Sequence, residues 1–142
     1  EWFWMPIGAE HNAAWSVDRI GGTEKAFSGF ACTARDLARI GVLLANEGMI
    51  GDQRLVPDNW VARLSTPVGT ESYGWGYSAQ MWHPTDGIQL GLGALGQHMY
   101  IDSKTDTVLI KLAESYEYED DEVWEFDVLH EIARRAHYPV ND

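Results

Sequence analysis

Hydrophobic and polar positions alternate most cleanly in the last third of the chain. Residues 97–101 (Gln-His-Met-Tyr-Ile) follow a period of two, a polar stretch runs from Asp102 to Asp106, and an apolar, β-branched run continues from Thr107 to Leu112. Alternation, polar break and apolar run together predict an antiparallel hairpin. Val108, Leu109 and Ile110 are consecutive and apolar, so the second strand is expected to be covered on both faces. Gly91, Gly93 and Gly96 stand at the entrance to this hairpin, where absent side chains let backbone approach a ligand closely.

The helical period appears in three places. Thr33 followed by Asp36 predicts a capping box; Leu37, Ile40, Gly41 and Leu44 then share one face, and Gly48 is placed to end the helix in the left-handed conformation. Arg35 and Arg39 are expected to look outward or to pair with Asp36. Pro57 suits the first turn of a shorter helix through Ser65, with Asp58 favourable to its dipole. A last helix is expected from about Asp120 to His137, with Trp124, Val128, Leu129, Ile132 and Ala136 as its apolar stripe. Glu117, Glu119, Asp120, Asp121 and Glu122 crowd its start, and Arg134, Arg135 and His137 its end, matching the dipole. That acidic run reads as a solvated helix start, since no loop spaces its oxygens for Ca²⁺.

Between these lie weaker strand signals. Ala13 to Ile20 predicts a short strand broken at Gly21-Gly22-Thr23, and Tyr73 to Trp82 a glycine- and aromatic-rich strand before a turn at 83–87. Residues 1–12 read as the tail of an earlier element. The chain begins in mid-pattern without Met and is expected to belong to something longer. The fold class this predicts is α+β, antiparallel strands with flanking helices, in 142 residues suited to one domain.

Charge narrows the partners. The formal net charge is −12, from 22 acidic against 10 basic residues, which repels phosphate backbones and anionic membrane, so neither is expected as a partner. No stretch approaches the roughly 18 apolar residues of a membrane span. Seven Trp and six Tyr predict aromatic side chains lining a cleft or an interface. Cys32 is the single cysteine, so no internal disulfide forms. Its place before the helix start would suit a reactive thiol, but no His or Asn is tied to it by a known spacing, and it is read as a small packing residue.

Gly91-x-Gly93-x-x-Gly96 spells the dinucleotide fingerprint, which works only when its last glycine opens a helix. Here strand alternation follows, so a nucleotide site is disfavoured. No GxSxG elbow occurs. The residues three places before Lys25, Lys104 and Lys111 are Gly22, Ile101 and Val108, so the chain holds no Ser-x-x-Lys, in which a lysine one helical turn away could take the serine proton. The five histidines are scattered, without metal-site spacing; no metal and no cofactor are expected.

The order of several segments nevertheless resembles a known family. Phe30-Ala31-Cys32-Thr33-Ala34-Arg35-Asp36-Leu37-Ala38-Arg39-Ile40-Gly41, then Gly51 to Pro57 with Trp60, then Tyr73-Gly74-Trp75-Gly76-Tyr77 to Trp82, then Gly93-Ala94-Leu95-Gly96-Gln97-His98-Met99-Tyr100-Ile101-Asp102 resembles the class C β-lactamase-like serine hydrolases. The 6-aminohexanoate-dimer (nylon oligomer) hydrolases among them are the most similar, through Val17-Asp18-Arg19, Gly74-Trp75-x-Tyr77 and the Gly-x-x-Gly-Gln-x-x-Tyr-x-Asp hairpin. The resemblance covers most of residues 5 to 113.

It implies the C-terminal part of a β-lactamase/transpeptidase-like fold, with the Ser-x-x-Lys serine and a Tyr supplied from upstream. The family's third motif should fall on Gly91-Leu92-Gly93, which makes the Ala94 N–H an oxyanion-hole donor and Gly91, Gly93, Leu95 and Gln97 substrate neighbours. Trp82 and Tyr77 are cleft-wall candidates, with the sheet core as the other place for Trp82. Gly91 offers no cationic or aromatic side chain to a substrate carboxylate, which turns the expectation toward esters or small amides, and Leu95 stands where nylon-oligomer hydrolases carry a polar residue. Two readings follow: the C-terminal segment of a serine amidase or esterase, with a small amide or ester and the upstream part of the same enzyme as partners; or a non-catalytic remnant or interaction module that kept the fold.

Overall fold

The alternation at 97–111 becomes the middle and one edge of a five-stranded antiparallel sheet. The computed structural model describes residues 2–70, 72–114 and 122–137. Strands β5 (Gly76–Ser78), β6 (Met81–His83), β7 (Ile88–Gly93), β8 (Gln97–Asp102) and β9 (Thr107–Lys111) pair in chain order. The break at 102–106 is the β8–β9 turn, with Asp102 opposite Thr107 and His98 opposite Lys111. Two short ribbons precede the sheet: β1 (Ala14–Trp15) with β2 (Phe30–Ala31), and β3 (Met49–Ile50) with β4 (Gln53–Arg54).

Helices α1 (Ala34–Ala45) and α3 (Glu122–His137) pack on β9. Their contacts mark opposite faces. A Cβ on Gly41 of α1 would lie 2.5 Å from Val108 Cγ1, whereas Lys111, an odd number of residues along the same strand, reaches Glu125 of α3. Every residue of β9 is half-buried, which is the two-sided cover its apolar run implied. Glycine at 41 is therefore a packing requirement: it lets the α1 backbone approach the sheet at a distance no side chain permits. On the α3 face, Trp75, Ile88, Leu90, Tyr100, Phe126, Leu129 and Ala133 form one buried cluster.

The ends of α1 repeat the predicted chemistry with two changes. The Thr33 hydroxyl accepts from the Asp36 N–H at 3.1 Å, as a capping box requires. The Asp36 carboxylate, however, does not turn back to the Thr33 amide. It is fully buried and accepts from the Glu10 N–H at 2.8 Å and the His11 N–H at 3.2 Å, from the Thr33 hydroxyl at 2.9 Å and from Arg39 at 2.7 Å. Asp36 thus ties the N-terminal segment to α1. At the other end the Gly48 N–H bonds Leu43 O and the Glu47 N–H bonds Leu44 O, a Schellman closure. Its first left-handed residue is Glu47 (φ 52°), followed by Gly48 (φ 80°).

Hydrogen bonds from the Glu10 amide, from Thr33 and from the His11 amide, with the Arg39 charge, outweigh burial and hold the Asp36 carboxyl at about 2. A carboxylate whose folded value lies below its unfolded value of about 3.9 contributes stability that is complete above that value and lost as pH falls through the folded one. The Asp36→Asn variant should accordingly show a flatter loss of stability between about pH 4 and pH 2 than the wild type, read from denaturant midpoints; parallel acid limbs would refute it.

Four other expectations are corrected. The apolar stripe of α3 is rotated: Glu125, Phe126, Leu129 and Ala133 are buried, while Trp124, Val128 and Ile132 are exposed and Ala136 is exposed too. Both sets recur at helical spacing, so periodicity alone could not say which meets the sheet. In α1 the fully buried leucine is Leu43, outside the predicted stripe. The predicted strand at 73–82 is a 3₁₀ turn (Ser72–Gly74, with Tyr73 at φ 65°) followed by the β5–β6 hairpin. The strand at 13–20 shrinks to Ala14–Trp15 plus a bridge between Val17 and Glu24. Helix α2 (Asp58–Ser65) forms as expected, with Pro57 just before its first turn and Arg54 paired to Asp58 at 2.8 Å. The acidic positions 117 and 119–121 lie outside the described residues.

Candidate active site

The glycine cluster lies in β7 and in the turn that follows it. Gly91 and Gly93 are strand residues opposite Met99 and Gln97, and Gly96 leads into β8, so no helix follows the GxGxxG match and no pyrophosphate cradle exists there. The turn is tight: Gly93↔Gln97 is the last ladder pair, leaving Ala94, Leu95 and Gly96 to reverse the chain. Leu95 (φ 66°) and Gly96 (φ 71°) are both left-handed. Such a backbone costs a leucine free energy and persists only where its surroundings impose it.

Ala94 and Leu95 are exposed at the tip, Gly96 is buried beneath it, and Gln97 is exposed at the start of β8. The Ala94 amide lies one residue beyond the ladder. On its other edge β7 registers with β6 only at Trp82↔Leu90, and β6 begins at Met81. Among the described residues, Leu92 and Gly93 therefore have β8 on one side and no strand on the other. A free strand edge running into an amide held outside the ladder can take an acyl group alongside it and aim a donor at its carbonyl oxygen.

Tyr77 and Trp82 are cross-strand partners with ring centroids 4.9 Å apart. Trp82 also meets Trp75 and Tyr73 at 6.3 and 6.4 Å, and packs against the α3-side core. By strand parity these two rings share the face of Leu90 and Tyr100, and Gly91, Gly93 and Gln97 belong to the opposite one. The predicted residues thus form two groups, neighbours across β6 and β7, with the turn at their common end.

Three residues that sequence reasoning left out sit directly under the turn. Glu125, buried in the first turn of α3, accepts from Lys111 on one carboxylate oxygen and from His98 on the other. Burial pushes the Glu125 carboxyl up, but the Lys111 and His98 hydrogen bonds win and hold it below the ordinary glutamate value. A signal existed: a glutamate four residues before Leu129, on what proved the buried side of α3, needs a partner.

Other polar pairs are structural. The Ser78 hydroxyl, buried, donates to Leu64 O at 2.6 Å and meets His83 Nε2 at 2.7 Å, so its proton is committed to a carbonyl and His83 acts there as donor. Burial pushes His83 below its ordinary value. Burial, and then the Asp36 charge, push the Cys32 thiol up, the reverse of an activated nucleophile. Among the described residues no cluster of His, Cys, Asp and Glu has the makings of a metal site, and no helix is long and apolar enough to cross a membrane.

Two concavities lie elsewhere. One of about 620 Å³ is bordered by Leu44, Val61, Ser65, His83, Gln89 and Lys104. The other, about 910 Å³, is apolar and bordered by Trp2, Phe3, Trp4, Met5, Trp15 and Phe30.

No protein-family model matches the sequence. The chain is 32% identical over 124 residues to the 6-aminohexanoate-dimer hydrolase of Paenarthrobacter ureafaciens, an alignment covering 79% of this chain and 31% of that protein. A solved Bacillus anthracis structure assigned as a 6-aminohexanoate-dimer hydrolase superposes with a TM-score of 0.82 at 27% identity, over 95% of this chain and 37% of the other. The chain thus spans about a third of the length of the relatives it matches. The shared sequence, together with the antiparallel sheet and its helices in common, supports reading this chain as a C-terminal portion of the 6-aminohexanoate-dimer hydrolase family.

Proposed function

We propose that this chain is the sheet-bearing part of a serine hydrolase that cleaves small amides or esters through an acyl-serine intermediate. Its contribution would be the Ala94 N–H as an oxyanion-hole donor, with Gly91, Gly93, Leu95 and Gln97 beside the substrate and Tyr77 and Trp82 as the neighbouring aromatic wall. The serine and its lysine base would come from the remainder of the same protein. The observation that carries this reading is the β7–β8 turn, whose left-handed Leu95 and Gly96 hold the Ala94 amide beyond the ladder at a free strand edge. A leucine held left-handed at the turn costs free energy that a glycine there would not.

The chemistry follows from the geometry. When a serine adds to an acyl carbon, its carbonyl oxygen takes up negative charge, and a preorganised amide stabilises that charge more than it does the neutral carbonyl. No side chain at residue 91 competes for the acyl substituent. The concavity bordered by Trp2, Trp4, Trp15 and Phe30 is apolar and would suit a contact with the rest of the enzyme.

The test is active-site labelling of the protein that carries this chain. A fluorophosphonate should modify a single serine outside residues 1–142, and peptide mapping should find Ser16, Ser28, Ser65, Ser72, Ser78, Ser103 and Ser115 unmodified. A label on any of those seven would overturn the assignment; complete absence of labelling would favour the non-catalytic interaction module.

A further inference from the structure

We propose that Lys111, Glu125 and His98 form a positioning unit that holds the β7–β8 turn, and with it the Ala94 amide, in its reactive geometry. This inference rests on the hydrolase reading above and names residues that touch no substrate.

The unit is built from three elements that meet only in the folded chain. His98 comes from the second residue of β8, Lys111 from the last residue of β9, and Glu125 from the first turn of α3. His98 and Lys111 are directly opposite in the ladder. The side chains of His98 and Glu125 are 3% and 6% exposed, so the Glu125 charge is carried out of water, and among the described residues His98 and Lys111 are the donors that answer it. Each carboxylate oxygen takes one donor, and an ionised carboxylate accepts only, so His98 Nε2 must carry its proton toward Glu125. Among the described residues His98 Nδ1 is buried without a hydrogen-bond partner, and the ring's hydrogen bond is the one to Glu125.

The link to the turn is steric. A Cβ built on Gly96 would lie 3.2 Å from Lys111 Nζ and 3.8 Å from Glu125 Oε1. The backbone of Gly96, two residues from Ala94, therefore rests on the ammonium–carboxylate pair. Ladder pairing stops at Gly93 and Gln97, so nothing in the sheet itself fixes the three turn residues. The ion pair supplies that floor, and the helix start beneath it supplies dipole support to Glu125. A floor of hydrogen-bonded charge on rigid elements is a means of holding a catalytic donor without adding a ligand contact.

The test compares Lys111→Arg with the double variant Lys111→Met/Glu125→Gln in the full-length protein. The double variant removes both charges together, so no lone buried charge remains to unfold the protein. With an ester substrate, kcat should fall about 10- to 100-fold in the double variant while KM stays within about threefold, the pattern of a lost transition-state contact. Lys111→Arg, which retains charge and donors, should keep kcat within about fivefold. A folded double variant with wild-type kcat overturns the proposal, as does equal loss in both variants, which would make residue 111 a matter of volume. Should the double variant fail to fold, Gly96→Ala decides: its methyl meets the same pair at a left-handed position, and wild-type kcat there refutes a supported turn. Ala94→Pro, run in parallel, separates the two levels. If it retains full turnover, the oxyanion-hole reading itself fails; if it is inactive while the Lys111 and Glu125 variants are normal, only the positioning role does.

Discussion

If the Ala94 amide is the proposed oxyanion-hole donor, Ala94→Pro in the protein that carries this chain should lower turnover by about 10²–10³-fold, the usual cost of one such donor. Proline has no N–H, so the substitution deletes the donor and adds only a ring at a residue already exposed at the turn tip. Ala94→Gly is the matched control. It keeps the N–H while loosening the backbone, so it should retain kcat within about tenfold. The loss should fall on kcat and kcat/KM together, because the donor acts on charge that develops only as the tetrahedral species forms. Steady-state kinetics on an ester and on a small amide would check this. Wild-type turnover in Ala94→Pro, with the protein shown folded by circular dichroism, would sink the assignment of the Ala94 amide.

The largest expected loss of stability is at Tyr100. Its side chain is completely buried in the middle of β8, stacks on Phe126 at 6.4 Å, and brings its hydroxyl to His130 Nδ1 at 2.8 Å. Replacing a buried aromatic ring by alanine typically costs about 3–5 kcal/mol through lost transfer energy and the cavity left behind. Tyr100→Phe isolates the hydroxyl. His130 is only half-buried, so water can take up its freed nitrogen, and the cost should sit near the low end, about 0.5–1.5 kcal/mol. Chemical unfolding of the full-length variants would measure both. A loss below about 1 kcal/mol for Tyr100→Ala would mean that the α3-side cluster contributes little to stability.

Much of the fold was legible because it depends on near neighbours. Thr33 and Asp36 are three residues apart, and their spacing alone sets the start of α1. The period-two run at 97–101 and the polar break at 102–106 likewise predicted the hairpin that β8 and β9 form. The resemblance to nylon-oligomer hydrolases rested on ordered motifs in the same segments, and kinship by sequence and by fold bears it out. The GxGxxG match was set aside on local grounds as well, since strand alternation after Gly96 left no room for a helix.

The candidate site was legible only in part. The glycines marked the turn, but its free edge depends on how far β6 runs along β7, and that is a matter of sheet assembly. The rotation of α3 was hidden for a related reason. Trp124, Val128 and Ile132 repeat as regularly as Phe126, Leu129 and Ala133, and only contact with the sheet chooses between the two sets.

The sequence by itself therefore determined the α+β class, the caps of α1, the hairpin and its turn, and the family kinship, since each depends on residues close together along the chain or on motif order. The tertiary structure alone decided which face of α3 is buried. It also decided that Asp36 answers the amides of Glu10 and His11, and that Glu125 meets His98 across 27 positions of sequence. Those choices depend on charges and side chains that become neighbours only after the chain has closed long loops. A buried charge must find its donors wherever packing brings them, and spacing along a sequence carries no record of that.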